Sequence, residues 1–400
     1  MKLFNFIKGV ALVAALGIFV SCDNDDDNDD VVKIPVSEAP AVGDGKSEAT
    51  AYEISSLANL LWMAENVNNG TLADDDPRDA APYFKLTRNI TLGKNMKWQP
   101  IGSTSRPFTG TFDGGGHYID GVMNFASPEV NDEGVSPFTL LGFFGAAYFS
   151  TIKNLHIDAD FVADMPVLHN YVMAGGVAAY VNEGKIENCS NDEDVSVAHL
   201  KALKATVGGV VGISHGTAVV KCKNDGDVRG SLNCEESYVG GISGSTVMYS
   251  PSNEASPFTD CFNDGDVAGG TGDECIYSFT GGIVGNAFDS ELKNCKSDAD
   301  LVGGKCMTEA EEYACNTGGL VGRASDIILH KNSTYGSIRC ADAKDAAGTL
   351  VGVMVNDGIV YDCNSTSIRE IRLADGTKNT SPQYVGMVLG GEVDVPCTEK

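Results

Sequence analysis

Cysteine, aspartate and histidine are the side chains here whose spacing could support chemistry. Cys189, Cys222, Cys261 and Cys295 recur along the chain, and an aspartate pair follows each: Asp192/Asp194, Asp225/Asp227, Asp264/Asp266 and Asp298/Asp300. Thiols at ligand spacing would hold zinc, but no C-x-x-C occurs among the 12 cysteines. Calcium could bridge stacked aspartates, and "GGTGDE" approximates the G-G-x-G-x-D calcium repeat, with Asp273 one position early. A solvated acidic ridge explains the same residues with no cofactor. None of the six histidines lies in H-E-x-x-H. Asp113, Asp120 and Asp158 could be imagined as the carboxylates of a polysaccharide hydrolase, with His117 and His156 as acid or base. An inverting enzyme would need such carboxyls about 6.5–9.5 Å apart. "FDGGGH" is, however, fully explained as a glycine-rich corner. No catalytic and no metal-ligating residue is assigned.

The cysteines belong to a repeat. Units begin at Leu141, Gly175, Gly208, Gly240, Gly281, Gly318, Gly348 and Gly386. Their third residues, Phe143, Val177, Val210, Ile242, Ile283, Leu320, Leu350 and Val388, are all large and apolar. The fifth is glycine except at Ala179. Eleven residues after the start stand Ile152, Ile186, Val219, Leu292, Leu329 and Ile359; twenty after it, Phe161, Val195, Val228, Leu301, Ile338 and Ile368. Short Val/Ile runs punctuated by Gly, Asn and Asp read as strands and turns, and one apolar position per turn makes a core only when units stack. This predicts an all-β parallel β-helix. The glycines serve positive φ at corners or close backbone approach. Asn191, Asn224 and Asn263 share one corner, where they tolerate left-handed backbone and can bond along the stack.

Leu155 stands in the cysteine column, so Cys189, Cys222, Cys261 and Cys295 read as buried free thiols acting as small hydrophobes. Cys234, Cys275, Cys306, Cys315, Cys340 and Cys397 lie off the column. Cys306 and Cys315 share a loop and are the best disulfide pair.

"GGVVG", "GGIVG", "GGLVG" and "GTLVG", followed by "NC.N.G.V"-like segments, resemble the GLUG repeat of bacterial surface proteins. "GKSEATAYEISSLANLLWMAENVN" and "FTGTFDGGGHYIDGVMNF" resemble that family's helical lead-in and first coils. The resemblance covers roughly residues 43–390 and implies a right-handed β-helix on a bacterial surface, often adhesin-like. Asn332 in place of the cysteine, and Cys363 one place late, depart from the pattern. GLUG repeats also accompany IgA-cleaving metallopeptidases, of which only the repeat part is matched here.

Lys2 and Lys8 precede an apolar run, Gly9 to Val20, too short to span a bilayer and shaped like a signal peptide. "FVSC" then resembles a lipobox, which makes Cys22 the lipid attachment site, with Phe19 where leucine is commonest. "DNDDDNDD" cannot pack and reads as a solvated tether; it also resembles the acidic export tract of Bacteroidota lipoproteins. The expected organisation is a lipoprotein signal peptide (1–21), an acidic flexible tether (22–50), a helical cap region (51–82) and a parallel β-helix (83–400) with repeats from about 141. Leu57, Leu60, Leu61, Ala64 and Val67 share one helical face, capped by Ser55 or Ser56, and a short helix here would cover the open end of the solenoid. A net charge of −27 without basic clusters excludes nucleic acid as a partner.

Length variation falls in one arc per unit: 162–174, 196–207, 229–239, 268–280, 302–317, 339–347 and 369–385, with an insertion at 246–257. These arcs carry Tyr171, Tyr238, Tyr277, Phe279, Tyr313 and Tyr384, with Tyr249 on the insertion. Tyr238, Tyr277 and Tyr313 are the expected ligand-binding residues. The expectation is an outer-membrane, cell-surface, lipid-anchored adhesin or binding scaffold without enzymatic activity, whose partners are host or dietary glycans or surface proteins. A β-helical polysaccharide lyase or glycoside hydrolase, or a structural surface spacer, are the alternatives.

Overall fold

A computed structural model describes residues 34–72, 81–247, 255–307, 314–341, 345–364, 368–379, 383–389 and 392–394. Cys22 with the whole 1–33 segment, Tyr249, Tyr313 and Cys397 lie outside the described residues.

Each repeat makes one coil of a parallel β-solenoid of about nine turns. One coil shows the plan. Lys201–Gly208 lies in a third sheet, and Val211–His215 and Ala218–Val220 in a first. Lys223–Asn224 and Val228–Arg229 follow in a second and a fourth, before Asn233–Gly240 returns to the third. Residues pair in parallel with their counterparts one coil on, as Val211 with Ser243 and Val228 with Val267. Single units bury nothing alone; stacking puts Phe143, Val177, Val210, Ile242, Ile283, Leu320 and Leu350 at 0% exposure. Each such side chain contributes about 1.5–3 kcal/mol relative to an exposed one. Val388 departs from this column at 47% exposure.

The expected alignment slips in the Gly348 coil. Leu329 pairs with Val360, not Ile359, so Ile359 points outward at 40% exposure while Val360 is buried. Ile338 likewise pairs with Ile371 rather than Ile368. The extra residue ahead of Val360 is also why Cys363 falls one place late.

The paired glycines act by close approach, not by positive φ. None of the pairs that open the units has positive φ. A Cβ on Gly208 would lie 2.1 Å from the Val211 carbonyl, and one on Gly209 would lie 2.2 Å from the Asn224 side chain. The second glycine therefore faces the asparagine, and the same contact joins Gly176 to Asn191 and Gly241 to Asn263, while Ser297 and Thr334 take the asparagine's place against Gly282 and Gly319. Positive φ falls instead at two other corners: just before the cysteine column, at Asn154, Asn188, Lys221, Asp260, Asn294, Lys331 and Asp362, and earlier in the first sheet, at Phe149, Glu183, Gly216, Asp289 and Asp326.

Asn191, Asn224 and Asn263 are buried and form the expected ladder. Asn191 Nδ2 donates to Asn224 Oδ1 at 2.9 Å, and Asn224 Nδ2 to Asn263 Oδ1 at 2.8 Å. The four column cysteines are free and buried. Their thiols donate to carbonyls of the preceding coil, such as Cys222 to Ile186 at 3.6 Å and Cys295 to Phe258 at 3.6 Å. Asn332 replaces cysteine because its Nδ2 serves the equivalent carbonyl, that of Leu292, at 2.8 Å. Cys306 and Cys315 are disulfide-bonded as expected.

Helix α1 spans Leu57–Asn68, with Ser56 as its N-cap. Leu60, Met63, Ala64 and Val67 are buried in the main core, while Leu57 and Leu61 pack at its edge. Two boundaries differ from expectation. The solenoid's first sheet starts at Tyr52–Ile54, inside the expected cap region, pairing with Tyr83–Leu86. Part of the expected tether is held against the cap: Glu38 N–H donates to Ala58 O at 3.1 Å, and Ser37 Oγ to Glu65 at 2.7 Å.

Candidate functional site

The third sheet carries the aromatic residues, but on strands rather than loops. Phe138, Tyr171, Lys204, Glu236 and Tyr277 are register partners on five successive coils. At one strand spacing per coil the row is about 19 Å long. Alternation puts all five on the outer face, because their neighbours Ala205 and Val207 lie in the core. The first four side chains engage one another in turn. Phe138 and Tyr171 have ring centroids 5.8 Å apart, and Lys204 Nζ stands 5.8 Å from the Tyr171 ring and 3.1 Å from the Glu236 carboxylate.

A second outward row lies deeper, beside the glycine corner. Tyr238 stacks on Phe279 at 5.1 Å and donates its hydroxyl to Glu236 at 2.7 Å; Lys204 Nζ lies 4.5 Å from its ring. Arg323, from the first sheet, covers Phe279 at 5.6 Å. Met173 packs with Tyr180, Ile213 and Ala146 of the first sheet in a small apolar cluster. The outer faces of the two sheets thus meet, and the corner is concave. The fifth-position glycine permits this: a Cβ on Gly212 would lie 2.5 Å from the Ala179 carbonyl and 2.9 Å from Ala174 N.

This geometry corrects the expected placement of the tyrosines. Tyr238 is only 8% exposed and forms the floor of the strip, its phenol held protonated by burial first and the Glu236 charge second. Tyr277 is half-buried in the outer row. Burial, then Glu236, raises the Tyr171 phenol as well. Tyr384, 41% exposed, lies on the last coils, away from these rows.

The aspartates form two columns in the bend between the second and fourth sheets. Asp194, Asp227, Asp266 and Asp300 each accept the backbone N–H of the next coil: from Asp227 at 2.9 Å, Asp266 at 3.1 Å, Asp300 at 2.9 Å and Ser337 at 2.8 Å. Arg229 bridges Asp194 and Asp227, and Arg369 reaches Asp300. In the other column Lys223 pairs with Asp225 and Lys296 with Asp298, both at 2.6 Å. Burial foremost raises Asp192, Glu193 and Asp266 above the usual carboxylate range. A groove of about 410 Å³ runs along the fourth sheet, with Asp227, Asp266, Asp300, Arg229, Arg339 and Arg372 in its walls. Among the described residues no three His, Cys, Asp or Glu side chains converge to hold a metal ion.

Asp120 and Asp158 are register partners on neighbouring strands, whereas Asp113 sits apart, 3.7 Å from Lys153 and bonded to Asn154. His156 bonds Ser190 at 2.9 Å beneath the Tyr118 ring, and His117 bonds Asn89 at 3.3 Å.

No family model matches the chain, and no curated protein matches it. One solved structure resembles it: a protein of Bacteroides ovatus, one of the Bacteroidota, named as a candidate immunoglobulin A1 protease and solved by crystallography at 1.30 Å. The match covers 88% of this chain and 86% of that one, at 15% identity and a TM-score of 0.48. The expectation of a chain without enzymatic activity is corrected here, because the name of that structure is that of an enzyme. The activity in that name belongs to that protein, and the GLUG resemblance stays one of motif.

Sequence reasoning missed Lys204, Glu236 and Phe138 as members of the strip. The signal was available: they occupy one register position, but only once the third-sheet strands are aligned back from the glycines. Among the described residues no helix is long and apolar enough to cross a membrane.

Proposed function

We propose that this chain is a surface-anchored binding scaffold that holds an extended polysaccharide along the third-sheet strip. The observation that carries the reading is the in-register row Phe138, Tyr171, Lys204, Glu236 and Tyr277. Half-open rings offer flat apolar surface to sugar faces at little entropic cost, and the Lys204–Glu236 pair offers donors and acceptors to hydroxyls between them. A rigid row suits a ligand that is itself a repeating chain. The acid face repels anions, so a neutral or cationic glycan suits this strip better than a sulfated or uronic one.

The anchor belongs to the same proposal. Cys22 acylation, with the acidic tract as tether, would hold the solenoid at the outer membrane facing outward. Cys22→Ala should abolish acyl labelling and release the chain from membranes; retention of an unlabelled variant contradicts the anchor. For the ligand, the full chain is screened against immobilised neutral, cationic and acidic polysaccharides and against matrix proteins. Saturable retention on a neutral or cationic polysaccharide is the expected result. Retention on proteins alone, or on nothing, overturns the reading.

A further inference from the structure

One off-column free cysteine, Cys275, lies against the Cys306–Cys315 disulfide. Cys275, Cys306 and Cys315 share one small buried cluster with Ala314, and Tyr277 and Met307 pack against it. Glu236 and Tyr277 are register partners on adjacent coils, so Cys234 and Cys275, two residues upstream of each, occupy matching positions. Ile276 N–H donates to Glu235 O at 2.6 Å, which holds the two segments side by side. Cys234 Sγ donates to Ser231 O and Cys275 Sγ to Tyr277 O, each at 3.5 Å. Adjacent parallel strands stand about 4.8 Å apart, within the Cα separation that a disulfide bridges.

We infer that Cys234 and Cys275 are a redox-active dithiol that a small disulfide oxidant, of the glutathione-disulfide class, closes into a second disulfide joining the Gly208 and Gly240 coils. The Cys234 thiolate attacks one sulfur of the oxidant and expels a thiolate. Cys275 then attacks the mixed disulfide at Cys234 and expels the second. The two protein thiols lose two electrons and two protons, and the oxidant leaves as two thiols. The neighbouring Cys275 thiol, foremost, holds the Cys234 thiol below its usual range, which favours it as first attacker, whereas the Cys234 thiol and burial raise Cys275.

The pair is as buried as the column, and its place along the strands is what sets it apart. Column thiols donate to carbonyls of the preceding coil inside the main core. Cys234 belongs to that core as well and Cys275 is fully buried in the small cluster, but both stand at or just before strand starts. Beside them runs a groove of about 570 Å³, lined by Asn233 and Glu274, the residues preceding each thiol, together with Lys201, Lys305 and Cys306. Loop-bordered strand ends open more readily than strands inside the ladder, so an oxidant reaches this pair first.

The full chain is incubated with graded glutathione disulfide, alkylated in denaturant, and digested after Lys, Arg and Glu. Those cuts separate Cys234 (230–235), Cys261 (255–274) and Cys275 (275–291) onto different peptides. The expected result is a linked 230–235/275–291 pair and loss of the alkyl tag from both cysteines, while Cys189, Cys222, Cys261 and Cys295 stay alkylated. Cys275→Ser should leave Cys234 as a mixed glutathione disulfide. Full alkylation of both thiols in the wild-type chain, a bond from Cys275 to Cys306 or Cys315, or oxidation of the column at the same dose overturns the inference.

Discussion

On the acid face each carboxylate stands one strand spacing from the next, and on the aromatic face each ring does the same. The acids spend themselves inward and along the stack. Asp194, Asp227, Asp266 and Asp300 accept the N–H groups left unpaired where the second sheet bends into the fourth, and Arg229, Lys223 and Lys296 neutralise their neighbours. The rings of Tyr171 and Tyr277 keep part of their surface toward solvent, while Tyr238, Phe279 and Arg323 fix what lies beneath them. Repetition alone therefore does not mark a binding surface. A repeated group whose polar atoms close the fold differs from one whose surface is left over.

Both faces share one frame and should lose it together when a corner is overfilled. Gly209→Val should do this, since its first side-chain atom would fall 2.2 Å from the Asn224 side chain and 2.4 Å from the Gly241 carbonyl. Overpacking of this kind should cost about 3 kcal/mol, read as a lower denaturant midpoint, with both faces affected. A smaller effect comes from the ladder between them. Asn224→Ala strips Asn191 Nδ2 of one acceptor and leaves Asn263 Oδ1 without its donor. Denaturant titration should show a loss of about 1–3 kcal/mol, the range for a buried polar group left unpaired.

A still smaller effect, of opposite sign, sharpens the acid side. Burial, with Asp225 and Asp158 nearby, raises the folded-state pKa of Asp192 above its ordinary 3.8, while Ser190 and His156 pull the other way. The stability linked to that proton is complete below the unfolded pKa and is lost as pH rises through the folded one. At neutral pH ionised Asp192 is thus a net cost. Asp192→Asn should raise the melting temperature at pH 7, and the gain should vanish below about pH 4. A gain that persists in acid would place its origin elsewhere.

Much of this was legible in the chain. The glycine pair, the Asn corner and the cysteine column recur because each touches its own copy one coil away, so period alone exposes them. The Cys306–Cys315 bond followed from a shared loop. Tyr238 was placed on a loop because length varies between residue twenty and the next glycine; the variable part is shorter, and strand Asn233–Gly240 takes up the remainder. Ile359 looked like core because a one-residue insertion keeps an apolar side chain at the expected count while turning it outward. The concave corner that buries Tyr238 arises between two sheets, and no single window of sequence contains it.

The most direct test removes the open rings and keeps the floor. Tyr171→Ala with Tyr277→Ala leaves Tyr238, Phe279 and the main core in place, and affinity for the retained polysaccharide is measured by calorimetry beside the thermal midpoint. Affinity should weaken at least about tenfold, roughly 1.4 kcal/mol, with the midpoint nearly unchanged. Undiminished binding by the double variant, together with loss of binding in Arg229→Ala or Arg339→Ala on the fourth sheet, would contradict the strip's role.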